Sequence, residues 1–327
     1  MTILSFAQRA LLWTALGACL TCGSLQATAP PVDPEGQFVT VAILAKDKGP
    51  MLPLYLACLE QQTWPASHTY LYIRTNNNRD DSAQILRDWI ERVGHRYAGV
   101  YFEDRDLEFP LEEFEPHEWN YLRVKVLAHL RKQSLKWAAA HHSHYFVADC
   151  DNFIRPEVIA TLMATRLPVV SPMLHCSGND PRVSPYYSNY HQAVTPEGYW
   201  DQTPHYWTVW ERGITGLIEE PVVHCTYLIR HEVLPLVSYD DGSGRYEYVI
   251  FSDSCRKQGI QQYLDNRSVY GFITFAETTE ALAAEPWLPQ VYDWLQGLAV
   301  MPERLSPPPE PVLTSSESSP PATDAAS

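Results

Sequence analysis

The sequence predicts an α/β protein whose mixed, mainly parallel β-sheet is flanked by helices. Over the first half of the chain, short apolar runs alternate with longer helical segments, an order typical of this fold class. The runs are continuously apolar, which indicates strands buried on both faces. One of them, residues 145–148, ends directly before two carboxylates, Asp149 and Asp151. Because parallel sheets bind ligands at the carboxyl ends of their strands, this ending marks the predicted functional site.

The elements of the first half follow one another in strict alternation. Strands are predicted at residues 38–45, 70–75, 99–102 and 145–148, and helices at 50–62, 82–93 and 121–140. The first helix opens near Pro53, a residue that suits the first helical turn. The second has Ile85, Trp89 and Val93 on one apolar face. An acidic loop, residues 103–118, leads into the third helix.

The second half of the chain is less regular. Strands are predicted at residues 169–173, 220–230 and 268–275, and helices at 245–258 and 278–300. Between them, residues 175–213 are rich in aromatic and turn-forming side chains, which suits loops around a substrate. All these elements belong to one predicted domain, residues 38–300.

The two ends of the chain predict segments outside this domain. Residues 1–29 contain a single charge, Arg9, and an apolar stretch that is short for a membrane span. They predict a cleaved signal peptide, a lipoprotein signal with lipid at Cys19, or a retained anchor, and membrane attachment is expected only through them. The expected location is the secretory pathway or an exported one: the ER or Golgi lumen in a eukaryote, the periplasm or a lipid anchor in a bacterium. Residues 305–327 predict a disordered Pro/Ser-rich tail.

Composition predicts a globular protein that binds no nucleic acid. Of 327 residues, 45% are hydrophobic and 12% aromatic, enough for a substantial core. A net charge of −15 without a basic cluster argues against a nucleic-acid partner. An acidic protein that binds an anionic nucleotide needs a local cation, such as a metal ion. The cysteines beyond the N-terminal segment are predicted to be buried free thiols: Cys58, Cys150, Cys176, Cys225 and Cys255.

The carboxylates after strand 145–148 predict a metal site. Asp149 and Asp151 offer the oxygen ligands that suit Mg²⁺ or Mn²⁺, with positions left open for substrate phosphates. The alternative is a structural turn. His224 is a candidate third metal ligand or a hydrogen-bond donor to an acceptor molecule, the alternative being an ordinary core histidine. The pattern indicates the nucleotide-sugar site of a metal-dependent glycosyltransferase.

A set of short segments supports this interpretation. It comprises residues 41–45, Thr75 with Asn78 and Asp80, Trp119 with Arg123, and residues 130–131, 146–152, 171–174, 187–189, 198–199, 221–226 and 269–272. In this order, they resemble the N-terminal glycosyltransferase domain of the collagen (hydroxylysine) galactosyltransferases and the related cerebral endothelial cell adhesion molecule. The resemblance implies a GT-A fold, a UDP-sugar donor and Mn²⁺ at the Asp-x-Asp.

Two arginines are candidates for binding the donor diphosphate. Arg123 and Arg131 lie two turns apart on helix 121–140, near one face, so either could reach the diphosphate with two hydrogen bonds. The alternative for each is an ion pair with the acidic loop.

A second set of residues is expected at the uridine. Thr75, Asn78 and Asp80 follow strand 70–75, although Asn and Asp also form turns readily. Ala42 and Ala45 are small enough to let the backbone approach the uracil ring.

A carboxylate general base is expected near residue 247. The family has two consecutive acids where this chain has Tyr246 and Glu247. Glu247 is therefore the candidate catalytic base, which takes a proton from the acceptor hydroxyl. A solvated residue on a helix face is the alternative, and Asp240, Asp241 and Asp253 are local competitors.

Two functions fit these residues. The first is a metal-dependent, inverting glycosyltransferase that moves a hexose, galactose first of all, from a UDP-sugar to a hydroxyl of a glycan or a hydroxylated protein. The second is a GT-A-like binding or adhesion module without catalysis, which Tyr246 favours. Asp149, Asp151 and Glu247 favour the enzyme, since a module that binds no nucleotide has no chemical need of both aspartates.

Overall fold

The computed structural model describes residues 36–108, 120–176, 178 and 183–306. Its strands are β1 (Val39–Ala45), β2 (Thr69–Thr75), β3 (Gly99–Glu103), β4 (His144–Ala148), β5 (Asn152–Ile154), β6 (Val169–Pro172), β7 (Leu174–His175), β8 (Tyr190–His191), β9 (Ala193–Val194), β10 (Trp200–Asp201), β11 (Leu217–Glu219), β12 (Val222–Val223), β13 (Thr226–Ile229), β14 (Gln262–Asp265) and β15 (Gly271–Ile273). Its α-helices are α1 (Leu52–Glu60), α2 (Ser82–Val93), α3 (Tyr121–Ala140), α4 (Val158–Thr165), α5 (Pro204–Trp210), α6 (Glu247–Lys257), α7 (Thr279–Ala283) and α8 (Leu288–Trp294).

Eight strands form a central sheet in the order β11-β14-β6-β13-β4-β1-β2-β3. Strand β1 pairs in parallel with β2 and β4, and so do β2 with β3 and β6 with β14. Strand β13 runs antiparallel between β4 and β6, and β11 runs antiparallel to β14. The sheet is therefore mixed and mainly parallel, which confirms the predicted fold class. A smaller sheet, β5-β15-β7, begins directly after the Asp-x-Asp.

Helices cover both faces of the central sheet. Along β1 the side chains alternate between two cores, as expected for a strand buried on both faces. Val41 and Ile43 belong to a cluster shared with α1, α2, α4 and α8. Ala42 belongs to another, which includes Ala128 and Leu135 of α3 and residues of β4 and α6. This double burial explains the continuous apolar run of the strand.

Two predicted elements are each split in two in the structure. The helix predicted at residues 278–300 is two shorter helices, α7 and α8. Pro286 separates them, and Pro289 lies in the first turn of α8, where its missing N–H is not needed. The strand predicted at residues 220–230 is split into β12 and β13. Cys225 at the break has a φ of 62°, which residues other than glycine rarely adopt.

Some predictions fall outside the described residues, and others were not made. The N-terminal segment 1–29 and the tail beyond residue 306 are not described, so their predictions stand untested. Helices α4 and α5 and strand β14 were not predicted. Within the described ranges, no helix has the length and apolarity needed to cross a bilayer. The cysteines there are free, and all are buried except the half-buried Cys225.

Candidate functional site

Asp149 and Asp151 lie in a tight turn at the carboxyl end of β4, in the middle of the sheet. The amide of Asp149 donates to the carbonyl of Cys225 at 3.0 Å, and the amide of Asn152 donates back to the carbonyl of Asp149 at 2.9 Å. The carboxylates remain partly accessible, with 35% of the Asp149 side chain and 19% of the Asp151 side chain exposed. The two carboxylates thus lie at the end of a buried strand, where the sequence predicts them.

Each aspartate faces a cation. The buried Arg131, from the middle of α3, donates from Nη2 to Oδ1 of Asp149. Lys48, in the loop after β1, places Nζ 2.7 Å from Oδ2 of Asp151. Burial raises the pKa of Asp149 against the opposing charge of Arg131, and the charge of Asp151 adds to the rise. Burial lowers the pKa of Lys48, but Asp151 outweighs it, so the pKa is raised and Lys48 is charged.

Lys48 was not predicted as a site residue. The sequence offers one signal for it, namely its position three residues after the end of β1, where parallel strands present their ligand-binding loops. Its partner lies 103 residues further along the chain, so only the fold brings the two together.

Glu247 is the first residue of α6 and is 6% exposed. Burial raises its pKa to about 7, with Arg131 opposing and Asp149 adding to the rise, so Glu247 shares the electrostatic environment of the Asp149–Arg131 pair. Its Oε2 has no hydrogen-bond partner among the described residues. These properties separate it from a solvated helix residue.

The local competitors of Glu247 are engaged elsewhere. Asp241 and Asp253 accept from Nη2 of Arg245 at 2.6 Å and 2.9 Å. Asp240 is exposed and lies 3.7 Å from Nζ of Lys132. The structure therefore favours Glu247 over these three carboxylates.

Arg123 occupies the first turn of α3, where its amide is capped by the side chain of Asn120 at 2.9 Å. Its side chain is half-buried, and its charge lowers the pKa of Glu247. Arg131 thus faces Asp149, while Arg123 acts on the environment of Glu247. Their contact with a diphosphate stays a prediction.

His224 lies in the break between β12 and β13. Its Nδ1 is 2.9 Å from Sγ of Cys225, and its ring packs 5.0 Å from Tyr248 and 5.1 Å from His191. Burial, followed by the charge of His191, lowers the pKa of His224 well below its usual value. Its Nε2 has no hydrogen-bond partner in the described part of the chain.

The predicted metal ligands do not form a preassembled set. Across the described ranges, no three His, Cys, Asp or Glu side chains are grouped in a way that would hold a metal ion. Asp149 and Asp151 lie one residue apart in the turn, whereas His224 packs among aromatic rings. The role of His224 as a third ligand stays a prediction.

The residues predicted at the uridine join two loops. Oγ1 of Thr75 accepts from Nδ2 of Asn78 at 2.7 Å, and Oδ1 of Asn78 accepts from the amide of Asp47 at 3.0 Å. Asp80 accepts from the amides of Gly49 and Ser82 at 2.8 Å and 3.0 Å. The three side chains therefore hold the β2–α2 loop against the β1–α1 loop, and their contact with uridine stays a prediction.

The two predicted alanines lie on opposite faces of β1. Ala42 is buried in the core against α3, while Ala45 ends the strand beside Thr75 and packs in the other core. The side chains of Ala42 and Ala45 therefore cannot both point toward the same ligand. Their approach to uracil stays a prediction.

A cavity of about 1010 Å³ is lined by neither of the two aspartates. It opens between β2, β3 and α3 and is lined by residues such as Tyr72, Arg74, Tyr101 and Trp137. None of the predicted site residues lines it. The charged groups at the strand ends therefore do not form the wall of this cavity.

Comparison with known proteins identifies similar sequences. The model of glycosyltransferase family 25, N-terminal domain, matches residues 37–285. Procollagen galactosyltransferase 2 from Homo sapiens is 32% identical over 75% of this chain and 40% of its own length. Inactive glycosyltransferase 25 family member 3 from Mus musculus is 29% identical over 78% of this chain and 43% of its own length. The chain thus spans about two fifths of the length of these relatives.

Solved structures with a similar backbone have lower sequence identity to this chain than these relatives do. S. aureus TarS 1-349 in complex with UDP-GlcNAc has a TM-score of 0.48 at 13% identity, over 79% of this chain and 64% of that one. GalNAc-T7 with UDP, GalNAc and Mn²⁺ has a TM-score of 0.46 at 13% identity, over 72% and 43%. Both scores are below 0.5, so these likenesses support no statement about function.

Proposed function

The chain belongs to glycosyltransferase family 25, and on this premise we propose that it transfers a hexose, galactose first of all, from a UDP-sugar to a hydroxyl group with inversion. Its α/β sheet, with the Asp-x-Asp at the end of β4, is the GT-A fold that the family resemblance implies. The acceptor is proposed to be a glycan or a hydroxylated protein. The proposed location is the secretory or export pathway.

The observation that carries the proposal is the electrostatic coupling of four charged groups from the end of β4 and from helices α3 and α6. Asp149 and Asp151 end the β4 strand, Arg131 faces Asp149, and Glu247 experiences the charges of both Arg131 and Asp149. Carboxylates for a cation, a guanidinium for phosphate and a buried carboxyl for proton transfer are the groups that sugar transfer from a nucleotide requires.

Asp149 and Asp151 would hold the divalent cation. Their carboxylate oxygens are the donors that Mn²⁺ and Mg²⁺ prefer, and a bound ion would neutralise the negative charge that develops on the departing UDP. Arg131 adds a fixed positive charge beside Asp149, because its guanidinium is buried and held against that carboxylate. This charge would help to stabilise the diphosphate electrostatically.

Glu247 would act as the general base. It takes the proton of the acceptor hydroxyl as that oxygen attacks the anomeric carbon of the sugar. The bond from this carbon to the UDP oxygen breaks on the opposite face, so the configuration inverts, as in the single displacement of inverting glycosidases. A pKa of about 7 allows Glu247 to accept a proton near neutral pH.

A binding or adhesion module without catalysis is the second candidate. One relative is named an inactive family member, and Tyr246 stands where the family has an acid. In addition, both aspartates already face cations. A module of this kind would need neither the metal nor UDP.

The deciding experiment is calorimetric titration of the full chain with UDP, in the presence and absence of Mn²⁺. We expect Mn²⁺-dependent binding that is lost in the Asp149→Asn/Asp151→Asn double variant. Asp88→Asn on the exposed face of α2 is a matched control and should bind as the wild type does. Absence of UDP binding under every condition would overturn the enzyme proposal and leave the module.

A further inference from the structure

We propose that Lys48 is a built-in competitor of the divalent cation: its ammonium occupies Asp151 until metal and donor diphosphate arrive together, and the diphosphate then takes over the displaced ammonium. This inference rests on the proposed function, because it assigns the ion and the diphosphate to the same site. It adds to the reaction a positioning residue that makes metal and nucleotide binding cooperative.

The backbone of Lys48 is fixed by several hydrogen bonds, whereas its ammonium is held by the ion pair with Asp151. Its amide donates to Oγ of Ser82 at 2.7 Å, and its carbonyl accepts from the amides of Met51 and Leu52 at 2.9 Å and 3.0 Å. The flanking Gly49 is tied to Asp80 at 2.8 Å. Only the flexible four-carbon stem of the lysine is therefore free to carry the ammonium away from Asp151.

The ammonium occupies the carboxylate that a divalent ion would use. Nζ of Lys48 is 2.7 Å from Oδ2 of Asp151, and the two side chains are only 24% and 19% exposed. Two cations on one carboxylate repel each other strongly at this separation, more so because water is partly excluded. A metal ion can therefore bind Asp151 fully only after Lys48 has left.

Lys48 is the movable cation of the two. Arg131 is 4% exposed on the long helix α3 and is held among the buried residues of the core. With Arg131 on Asp149 and Lys48 on Asp151, the charges of the two aspartates are balanced before any ligand binds. A metal ion alone would upset this balance, whereas a metal ion with an anionic diphosphate would restore it.

The consequence is a measurable coupling. Metal ions can bind only the fraction of molecules in which Asp151 is free of Lys48. The apparent dissociation constant of the metal is therefore the intrinsic one divided by this fraction. Phosphate oxygens are good acceptors for a lysine ammonium, so UDP stabilises the displaced state. By linkage, Mn²⁺ and UDP must then raise each other's affinity by the same factor.

The test is Mn²⁺ binding to the full chain without nucleotide, measured by calorimetry and by the electron paramagnetic resonance signal of free Mn²⁺. We expect Lys48→Met to bind Mn²⁺ roughly tenfold more tightly than the wild type, as expected for loss of a competing ion pair of about 1.4 kcal/mol. Lys48→Arg, which keeps the charge, should stay close to the wild type. Lys46→Met is the matched control, since Lys46 pairs with Asp47 in the same loop and should not alter Mn²⁺ affinity.

Repeating the Mn²⁺ titration with UDP present completes the test. The factor by which UDP tightens Mn²⁺ binding should be smaller in Lys48→Met than in the wild type. Equal or weaker Mn²⁺ binding by Lys48→Met, or no Mn²⁺ binding by either protein, would overturn the role of Lys48. Failure of the proposed function looks different, because UDP would then bind none of these proteins while Lys48→Met could still gain Mn²⁺ affinity.

Discussion

The side chain of Glu247 is buried, and its Oε2 has no hydrogen-bond partner in the described part of the chain. A buried carboxyl of this kind costs stability, and carboxyls with a raised pKa are common at functional sites, where they can transfer protons. The rise of its pKa to about 7 comes from burial, and the opposing charge of Arg131 keeps it from rising further. A base whose pKa lies near neutral pH combines the deprotonated state with a real affinity for the proton.

Replacing Glu247 tests this role at the residue scale. With a hydroxylated peptide as the acceptor of galactose, Glu247→Gln should lower the rate of UDP release from UDP-galactose by about 100- to 10,000-fold, the usual contribution of a general base. UDP binding should persist. The wild-type rate should rise with pH through about 7, because Glu247 must lose its proton before it can act, and the variant should lack this rise. Asp253→Asn, a carboxylate on the same helix, should retain most of the activity, and a Glu247→Gln rate above a tenth of wild type would contradict the assignment.

The sequence predicts the positions of the candidate site residues to different extents. The location of Asp149 and Asp151 at a strand end was predictable because the buried strand and both carboxylates are contiguous in the chain. Arg131 was expected at a phosphate and is found on Asp149, a contact across the α3–β4 connection. Lys48 could not be predicted, since its pairing with Asp151 depends on two loops that meet only in the folded sheet.

At the scale of elements, the break between β12 and β13 places the start of β13 next to the Asp-x-Asp turn. The amide of Thr226 donates to the carbonyl of His224 at 2.6 Å, two residues back, so Cys225 is the centre of a γ-turn. Its φ of 62° is strained for a residue with a Cβ atom. The carbonyl of Cys225 in turn accepts from the amide of Asp149. The strained turn thus supports the position of the first aspartate.

Because of this strain, we expect glycine to be more stable than alanine at residue 225, the reverse of the order found inside helices. Cys225→Gly should unfold with a free energy about 1 kcal/mol higher than Cys225→Ala, because glycine adopts positive φ without a steric penalty. At Cys255, inside α6, alanine should be the more stable of the same two replacements. Urea denaturation of the four variants measures both differences. An advantage of alanine at residue 225 would show that the turn is not strained.

Element prediction succeeded where the local pattern was unambiguous. Helices α2 and α3 have the predicted bounds, and β1 and β2 differ from theirs by one residue. Helix α4 was missed because an eight-residue apolar segment does not distinguish a buried strand from a helix. Strand β14, with Gln262 and Asp265 among its four residues, lacks a strand-like pattern and is defined by its pairing with β6. Pairing of distant segments is a property of the fold and not of the local sequence.

At the scale of the whole molecule, stability should depend on pH through a buried acid outside the site. Glu220, between β11 and β12, is 2% exposed, and neither of its carboxylate oxygens has a hydrogen-bond partner in the described residues. Burial raises its pKa from 4.5 to about 9, so the folded protein keeps this proton while the unfolded chain releases it. Above the unfolded pKa, the unfolded state binds fewer protons, and the free energy of unfolding falls with rising pH.

The fall should amount to at most about 1.4 kcal/mol per pH unit between the two pKa values and should end once the pH exceeds the folded one. Wild-type protein should therefore be less stable in urea at pH 8 than at pH 5.5, and Glu220→Gln should remove up to about 3 kcal/mol of that difference, because its amide does not titrate in this range. Glu219→Gln, the exposed neighbour, should keep the wild-type pH dependence. If Glu220→Gln and the wild type lose stability in parallel between the two pH values, the buried acid is ionised in the folded state and the net negative charge of the chain accounts for the loss instead.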